Sequence, residues 1–282
     1  MKILITGTNG QIGHYLKKIL IDNNIIDCNR KTCDLADSNQ INSVVDFYKP
    51  DLIINCAAFT CVERAENESE LAYKINRDAP KVLAEKALEY NIPFIHFSTD
   101  YIFDGKKNGK YYEDDSPNPL SIYGKSKLAG EEAIQKASGQ YYIFRTSWLY
   151  SNISNNFYLT IKNLCFDKQK IKIVDDKISV PTSALFIAEQ VKKIIPQLSY
   201  SNKGLYHLVP DGYCSCYEFS RAIMSNTKPK FNLDRLLPIK SEEYNSMVIR
   251  PDKTILSNKK VKDTFLLEFN DWHSELLKYI KK

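Results

Sequence analysis

A tyrosine and a lysine, Tyr123 and Lys127, lie four residues apart in the sequence Leu120-Ser-Ile-Tyr-Gly-Lys-Ser-Lys. If this stretch is helical, both side chains share one face, about one turn apart. A nearby ammonium favours the ionised form of a phenol, whose ordinary pKa is about 10. The pair therefore predicts a proton donor or acceptor at Tyr123. In a chain with 18 tyrosines, a packing tyrosine beside an exposed lysine is the alternative.

A glycine-rich turn follows the first apolar run of the chain, residues 2–6, and apolar residues then recur at helical spacing. This order predicts a strand, a turn and a helix. Glycines in such a turn allow a pyrophosphate to approach the backbone, while the amides of the helix face the anion. A purely structural turn is the alternative. We expect dinucleotide binding by Gly7, Gly10, Gln11, Ile12 and Gly13.

The choice between NADPH and NADH depends on the residues after the second predicted strand, near Ile25-Ile26. In NAD-preferring Rossmann proteins, an acid at the end of this strand binds the ribose 2′-hydroxyl, whereas arginine suits a 2′-phosphate. Asn29 takes the place of the acid, and Arg30 and Lys31 follow it. We therefore expect NADPH. NADH is the alternative cofactor, because Asp27 would be the acid that binds the ribose 2′-hydroxyl if the second strand ends earlier.

Three further runs, residues 51–58, 92–97 and 141–150, are expected to form strands, and the continuous apolar run 51–58 is typical of a strand buried on both faces of a parallel sheet. Ligands of open α/β sheets bind beyond the carboxyl ends of the strands. Ser98 and Thr99 follow the second of these runs, so their hydroxyls are expected to face a ligand. For Thr99, a hydroxyl that bonds its own turn is the alternative.

The order of strands and helices predicts an α/β fold, a Rossmann-type doubly wound parallel sheet with a smaller, interleaved α/β substrate domain. Residues 1–150 are expected to form the dinucleotide-binding domain, with contributions from about 165–200. Residues 151–282 are expected to form mainly the substrate domain. Since no repeat or low-complexity linker separates the two parts, we expect them to be interleaved.

The bulk composition is that of a soluble globular protein, with 43% hydrophobic and 26% charged residues in 282. The net charge is +5, and twelve Lys or Arg stand against eight Asp or Glu from Asn226 onward. This surplus of four could meet an anionic substrate, or it could be a solvated tail. No arginine-rich block predicts nucleic acid. Without a leader pattern or an apolar run near ~18 residues, we expect a cytoplasmic protein and no membrane partner.

The cysteines do not predict a metal site or a disulfide framework. The chain has seven, an odd number, without C-x-x-C pairs or neighbouring histidines. The close pair Cys214-x-Cys216 is interpreted as two unlinked small residues. The seven are Cys28, Cys33, Cys56, Cys61, Cys165, Cys214 and Cys216.

Five motifs in order resemble those of the dTDP-4-dehydrorhamnose reductases, within the extended short-chain dehydrogenase/reductase superfamily. They are STDYIFDG, YGKSKLAGE, RTSWLY, D-x-x-x-x-P-T and RP-x-x-T-x-L. The glycine spacing G-x-x-G-x-x-G also resembles the extended superfamily. The resemblance covers nearly the whole chain. It implies hydride transfer from NAD(P)H to C4 of a nucleotide-linked 4-keto-6-deoxysugar, with dTDP-4-dehydro-L-rhamnose as the substrate.

The resemblance also implies roles for single residues. Tyr123 would donate the proton, Lys127 would lower the pKa of Tyr123 and hold the nicotinamide ribose, and Thr99 would bind the carbonyl oxygen. Contacts with the sugar or diphosphate are implied for Asp100, Trp148 and Arg250, the last with a structural ion pair as the alternative. Asp34 and Leu35 would lie beside the adenine, with a helix cap as the alternative for Asp34. Further cofactor contacts are implied for Ala57, Ala58, Phe59, Thr60 and Phe97.

The chain departs from the family pattern at three positions. Lys177 and Ser179 stand where the family usually has glutamine and glycine. Tyr15 stands where some members have a glutamate that binds magnesium at a dimer interface. We therefore predict no metal, and either a monomer or a homodimer.

Two other functions stay open. One is a reductase or epimerase of another nucleotide-sugar. The other is a non-catalytic regulatory subunit that binds NADP. The presence of Thr99, Tyr123 and Lys127 favours an enzyme over such a subunit.

Overall fold

The computed structural model describes residues 1–166, 169–227, 231–244 and 247–281. Its strands are β1 (Lys2–Thr6), β2 (Asn24–Cys28), β3 (Leu52–Asn55), β4 (Phe94–Thr99), β5 (Tyr141–Thr146), β6 (Leu149–Tyr150), β7 (Ile171–Val174), β8 (Ile178–Ser179), β9 (Thr182–Ser183), β10 (Gly204–His207), β11 (Cys214–Ser215) and β12 (Leu236–Ile239). Its α-helices are α1 (Gln11–Ile19), α2 (Ser38–Tyr48), α3 (Val62–Asn67), α4 (Ser69–Tyr73), α5 (Ala79–Glu89), α6 (Ile122–Ala137), α7 (Phe157–Leu164), α8 (Ala184–Ile194), α9 (Cys216–Ser225), α10 (Lys259–Phe265) and α11 (Trp272–Lys281).

The main sheet is parallel throughout and has the strand order β2-β1-β3-β4-β5-β10. Successive strands are added outward on both sides of β1, so the direction of winding changes between β1 and β3. At such a switch point the connections leave in opposite directions and open a crevice beyond the strand ends. The fold therefore places a ligand crevice beside the glycine turn that follows β1.

Helices cover both faces of this sheet because its strands are apolar on both sides. In β1, Ile3 and Ile5 join the core formed with α1, α8 and α10, while Leu4 joins the opposite core with α2, α5 and α6. This alternation follows from the two-residue period of a strand. Each fully buried Ile or Leu contributes about 1.5–3 kcal/mol, so both layers are held by burial of apolar surface.

A second core lies outside the main sheet. There β12 pairs in parallel with β7, and α7, α9 and α11 pack around them through side chains such as Tyr158, Phe219 and Leu276. A smaller cluster around Phe103, Val180 and Leu256 joins residues that follow β4 to this part of the chain. The polypeptide thus leaves the main sheet after β5 and returns to it with α8 and β10.

Three elements differ from the sequence-based expectations. The strand expected at 141–150 is divided into β5 and β6, since Trp148 has a positive φ of 40°. The spacing of Leu71, Ile75, Ala79 and Leu88 predicts one long amphipathic helix, but a π-helical turn, Lys74–Asp78, interrupts it between α4 and α5. The segment that rejoins the sheet, residues 184–207, begins later than the expected 165, because Ile171–Val174 pairs with β12. The division into two domains stays a prediction.

Candidate active site

The glycine turn after β1 is packed too tightly for side chains at two positions. Gly7 has a φ of +67°, and a Cβ added there would lie 2.7 Å from the backbone nitrogen of Ala57. A Cβ on Gly13 would lie 2.5 Å from the carbonyl oxygen of Gly7. The turn therefore runs directly against the end of β3 and against its own helix. No side chain can be added at Gly7 or Gly13 without a clash, so the backbone of the turn itself faces the crevice at the switch point.

A cavity of about 460 Å³ opens at this switch point, within the range of ligand pockets. It runs from the glycine turn along the ends of β2 and β3. The residues expected to bind the dinucleotide that line it are Gly7, Gly10, Gln11, Ile12, Asn29, Arg30, Asp34, Leu35, Ala57, Ala58, Phe59 and Thr60. Gly13, Phe97, Tyr123 and Lys127 lie outside this lining. The small and backbone-rich lining fits an extended dinucleotide.

The far part of the cavity, which we call the open end, is formed by Asn29, Arg30, Asp34 and Leu35. Arg30 is exposed, and the other three are partly exposed. Asp34 is not the cap of α2, since the side chain of Asp37 accepts the hydrogen bond from the Asn39 amide at 2.9 Å. The helix-cap alternative for Asp34 is therefore wrong.

Asp27, the alternative acid for a ribose, is held by other groups. Its carboxylate accepts hydrogen bonds from the Lys17 ammonium and the Thr8 hydroxyl. Partial burial raises the pKa of Asp27, but the bonds from Lys17 and Thr8 outweigh it and leave that pKa below its ordinary value. Asp27 is thus committed to an ion pair, and it does not line the cavity. This favours Arg30 as the group that meets the ribose.

A buried asparagine fixes the loop after β3, and the sequence did not indicate this role. Asn76 is 0% exposed, accepts a hydrogen bond from the Phe59 amide at 2.8 Å and donates to the Phe59 carbonyl at 3.1 Å. Its amide also donates to the Ser126 hydroxyl on α6. The π-helical turn presents Asn76 at this position, as such turns often do at functional sites. Asn76 therefore ties the cavity wall at Phe59 to the helix that carries Tyr123.

The Tyr123 cluster, which consists of Thr99, Asp100, Tyr123 and Lys127, lies where β4 ends and α6 begins. Ser121 caps α6 by accepting a hydrogen bond from the Gly124 amide at 3.2 Å. Tyr123 packs with Phe59, Leu71 and Ile75, three residues that line the cavity. The structure therefore brings Tyr123 and Thr99 together, with Tyr123 next to residues that line the cavity.

Burial raises the pKa of Tyr123 to about 12, although a hydrogen bond with Thr99 opposes the rise. The expected lowering of this pKa by Lys127 is not seen. The Lys127 ammonium nitrogen lies 3.1 Å from His96 Nε2 and 2.6 Å from the carbonyl oxygen of Phe97. It is directed at β4, away from the phenol one turn earlier. Tyr123 is consequently a neutral phenol near neutral pH, which is the protonation state of a proton donor.

Asp100 is buried at 2% exposure and joins three of the family-like segments. Its carboxylate accepts hydrogen bonds from Thr254 at 2.5 Å, from Ser179 at 3.2 Å and from Thr99 at 3.3 Å. Burial raises the pKa of Asp100 to about 6, and the three hydroxyls oppose the rise. Ser179, at a position where the chain departs from the family pattern, therefore supplies one of the hydroxyls that hold Asp100.

The other two residues expected to contact the substrate, Trp148 and Arg250, differ in how far their side chains are exposed to solvent. Trp148 is partly buried at the turn between β5 and β6, and its positive φ marks a backbone conformation held by the surrounding structure. Arg250 is exposed and donates a hydrogen bond to Glu63 at 2.5 Å. The ion-pair alternative for Arg250 is thus seen, and its contact with substrate stays a prediction.

Several residues of the cavity lining were not identified from the sequence. Four of them are cysteines, and one, Arg64, is charged. These lining residues are Cys28, Cys33, Cys56, Cys61, Arg64, Leu71, Ile75, Leu149, Ser154 and Asn155. Ser154 and Asn155 belong to the loop between β6 and α7, which no motif had connected with the glycine turn. In the described parts of the chain, no group of three or more His, Cys, Asp or Glu side chains is arranged to hold a metal ion. Nor is any helix of those parts both long and apolar enough to cross a membrane.

Comparison with known proteins gives matches along the whole chain. The sequence profile of the RmlD substrate binding domain matches residues 1–282. A dTDP-4-dehydrorhamnose reductase of Aggregatibacter actinomycetemcomitans is 34% identical, with 98% of this chain and 97% of that protein covered. The crystal structure of dTDP-4-dehydrorhamnose reductase from Bacillus anthracis, in complex with NADP, is 33% identical with a TM-score of 0.93, and 99% of this chain and 98% of that chain are covered.

A dTDP-4-dehydrorhamnose reductase structure from Clostridium acetobutylicum is 36% identical, also with a TM-score of 0.93, and covers 100% of this chain and 99% of that chain. The Rossmann-type fold expected from the sequence is confirmed by these structures and by the parallel sheet. The resemblance that the five motifs indicated is confirmed as well. The chain therefore belongs to the family of the RmlD substrate binding domain.

Proposed function

We propose that this protein is an NADPH-dependent reductase that converts dTDP-4-dehydro-L-rhamnose to dTDP-L-rhamnose, a precursor of cell-surface polysaccharides. The observation that carries the proposal is the hydrogen bond between Tyr123 and Thr99, together with the packing of Tyr123 in one cluster with Phe59, Leu71 and Ile75, which line a cavity that begins at a glycine turn. The full-length similarity to named reductases supports it, and so does the NADP bound to one of them.

The residues of the cavity would hold the dinucleotide along its length. Amides at the start of α1, beginning with Gln11, would bind the diphosphate, and Arg30 would meet the ribose 2′-phosphate. Asp34 and Leu35 would lie beside the adenine. NADH remains the alternative cofactor, since Asn29 can hydrogen-bond a ribose hydroxyl. When bound, the dinucleotide supplies a hydride to C4 of the sugar.

Tyr123 would donate its phenolic proton to the oxygen of the C4 carbonyl as that carbon becomes an alcohol. Its raised pKa keeps the proton on the phenol until the oxygen becomes basic. Thr99 would turn its hydroxyl hydrogen, which is directed at Asp100 in this structure, to the same oxygen. The Tyr101 amide donates to the Thr99 oxygen at 3.2 Å, and the Thr99 hydroxyl donates to Asp100. Asp100 therefore helps to orient Thr99, in addition to its expected contact with the substrate.

The remaining assignments complete the site. Lys127 would hold the hydroxyls of the nicotinamide ribose, Trp148 would contact the sugar, and Arg250 would meet the diphosphate. The pair between Arg250 and Glu63 is exposed, so little energy is needed for Arg250 to exchange that carboxylate for a substrate phosphate. No step requires a metal. A cytoplasmic location and a monomeric or homodimeric state also remain predictions.

The proposal is tested by measuring NADPH consumption with 4-keto-6-deoxysugars linked to dTDP, UDP, GDP or CDP. We expect turnover with the dTDP-linked sugar and NMR spectra of the product that match dTDP-L-rhamnose. Turnover confined to a sugar that carries another nucleotide would overturn the choice of substrate.

The same measurement separates the other functions. An epimerase would change the sugar without net consumption of NADPH. A regulatory subunit would bind NADPH and consume none with any of the four substrates. The hydrogen bond between Tyr123 and Thr99, with Tyr123 packed near the lining residue Phe59, favours the reductase over this subunit.

A further inference from the structure

A chain of four buried polar side chains crosses the centre of the molecule from β1 to α6. Thr6, Asn55, His96 and Lys127 lie on β1, β3, β4 and α6 and are between 0% and 2% exposed. Thr6 donates to Asn55 Oδ1 at 2.6 Å, Asn55 Nδ2 lies 3.0 Å from His96 Nδ1, and His96 Nε2 lies 3.1 Å from Lys127 Nζ. Buried polar groups of this kind must all find partners, so their hydrogens can be assigned one after another.

The orientation of Asn55 is fixed by a backbone amide. The Ala57 N–H, which can only donate, lies 3.1 Å from Asn55 Oδ1. The Thr6 hydroxyl donates to the same oxygen. A flipped Asn55 would place its NH₂ group against the Ala57 N–H, two donors face to face. Asn55 therefore presents Nδ2, a donor without acceptor capacity, to His96.

The tautomer of His96 follows from this contact. Because Asn55 Nδ2 donates to His96 Nδ1, that nitrogen must be unprotonated, and a neutral ring then carries its hydrogen on Nε2. Burial is the largest influence on the pKa of His96 and lowers it well below its ordinary value, so the ring is neutral. His96 therefore directs an N–H at Lys127.

Lys127 must accept that hydrogen. An ammonium has three donors and no acceptor, whereas a neutral amine has a lone pair. The amine can accept from His96 Nε2 and donate to the Phe97 carbonyl oxygen at 2.6 Å, so that every polar group of the chain is satisfied.

We propose that Asn55 and His96 are positioning residues that hold Lys127 as a neutral amine turned toward β4, and that proton uptake by this amine ends its hydrogen bond with His96. The charged Lys127 can still donate to the Phe97 carbonyl oxygen, but its N–H groups must turn away from His96, and Tyr123 lies one turn away on the same face of α6. The inference deepens the proposed function, on which it rests for the role of Lys127. It adds that a change of protonation decides whether Lys127 faces β4 or the reacting groups.

The titratable groups near Lys127 in the described residues lie on β4, on β5 and on α6 itself. His96 faces it from β4. Glu131 on α6 favours the charged form, but Glu131 is itself paired with Arg145 of β5 at 2.6 Å. Tyr123 on α6 is a neutral phenol. Burial is the largest influence and lowers the pKa of Lys127 to about 8, so both forms of the amine are accessible near physiological pH.

The first test is NMR on the wild-type chain. The ¹⁵N shifts of an imidazole distinguish its tautomers, and only four histidines need assignment, which a His96→Gln spectrum provides. We expect His96 with a hydrogen on Nε2, and a Lys127 ¹³Cε titration with a midpoint near 8. His96 with its hydrogen on Nδ1, or a Lys127 midpoint at the ordinary ~10.4, would overturn the proposal.

The second test reverses the tautomer with Asn55→Asp. A carboxylate oxygen in place of Nδ2 accepts from His96 Nδ1, so Nε2 becomes an acceptor that favours the Lys127 ammonium. We expect the hydrogen of His96 to move to Nδ1 and the Lys127 midpoint to rise by at least ~1 pH unit. Thr6→Val is the matched control, because it removes a bond to Asn55 Oδ1 but leaves the donor that faces His96.

A folded Asn55→Asp chain with an unchanged Lys127 midpoint would contradict the proposal. If this variant does not fold, the wild-type tautomer still decides. The spectra need no turnover, so the proposal and the proposed function fail separately. An inactive wild-type chain with the Nε2 tautomer contradicts the function alone, and an active chain with the Nδ1 tautomer contradicts the positioning role alone.

Discussion

The open end of the cavity and the Tyr123 cluster carry ionisable groups in opposite environments. At the open end, the Arg30 side chain is exposed and Asp34 is partly exposed. In the Tyr123 cluster, Asp100 and Lys127 are each only 2% exposed. Water screens charges at the open end, whereas the Tyr123 cluster is surrounded by protein, where desolvation dominates.

The consequence is visible in the pKa values. Burial is the largest influence on Tyr123, Asp100 and Lys127, and each is moved toward its neutral form, to about 12, about 6 and about 8. Two of these values lie within about two units of neutral pH, where proton transfer is efficient. The open end can therefore select a charged ligand, while the Tyr123 cluster can move protons. Substitutions in the two regions should differ in size and in kind.

The largest effect is expected for Tyr123→Phe, which removes the proposed proton donor. We expect kcat/KM to fall by at least ~10²-fold, the usual effect of losing a positioned acid, with nearly unchanged NADPH binding. Steady-state kinetics and fluorescence titration with NADPH measure the two quantities. Tyr101→Phe is the matched control, since its ring lies 5.6 Å from that of Tyr123, and it should lose far less activity. Full activity in Tyr123→Phe would rule out this proton donor.

Asp100→Asn should change the pH dependence of stability. The folded state raises the pKa of Asp100 from 3.8 to about 6, so it binds a proton that the unfolded chain releases between those values. The contribution of Asp100 is therefore most favourable below pH 4 and is lost as pH rises toward 6, by about 3 kcal/mol.

The difference in free energy of unfolding between wild type and Asp100→Asn, measured by urea titration at several pH values, isolates this group. We expect the wild type to lose stability relative to the variant between pH 4 and pH 6. A difference that is constant over this window would show that the carboxyl is not desolvated. Activity should fall in the variant, because Thr99 loses a charged acceptor.

Arg30→Ala should act on one cofactor. Losing a single charge-assisted contact at an exposed position weakens NADPH binding by roughly tenfold, about 1.4 kcal/mol. NADH has no 2′-phosphate and should bind about as before. Lys31→Ala is the matched control, because Lys31 is exposed and adjacent but does not line the cavity. Equal weakening of both cofactors by Arg30→Ala would assign Arg30 a different role.

The smallest effect is expected for Glu63→Gln, which removes the exposed partner of Arg250. Side chains of this pair are 48% and 38% exposed, so the loss in free energy of unfolding should be below ~1 kcal/mol. Glu131→Gln is the buried comparison, since the side chains of Arg145 and Glu131 are 5% and 2% exposed. This variant should lose roughly 3–5 kcal/mol of the free energy of unfolding, because the charge of Arg145 is left without its buried partner. Similar losses in both variants, measured by urea unfolding, would contradict the contrast between exposed and buried charges.

Much of the main sheet was predictable from local patterns. The apolar run before Gly7, the runs that became β3 and β4, and the helix with Tyr123 and Lys127 all carry their own periodicity or turn residues. The strand β12 was not predicted, because its four residues include Pro238 and it is paired only on one side. The position of Trp148 in a positive-φ turn also has no signal in its residue type.

The side-chain partners were the least predictable part of the site. Asp100 is 79 residues from Ser179 and 154 from Thr254, and Asn55 is 41 from His96, yet all are in contact. The sequence did not indicate that Asn76 is the buried link between Phe59 and α6.

The sequence by itself determined the sheet, the glycine turn and the placement of Tyr123 and Lys127 on one helix, because these depend on residues a few positions apart. Only the tertiary structure decided the protonation of those groups and the direction in which Lys127 points. Protonation depends on how much water is excluded and on which donors face each atom, and both are set by residues distant in the chain. The helix brought the phenol and the amine to one face, but His96 of β4 turned the amine away.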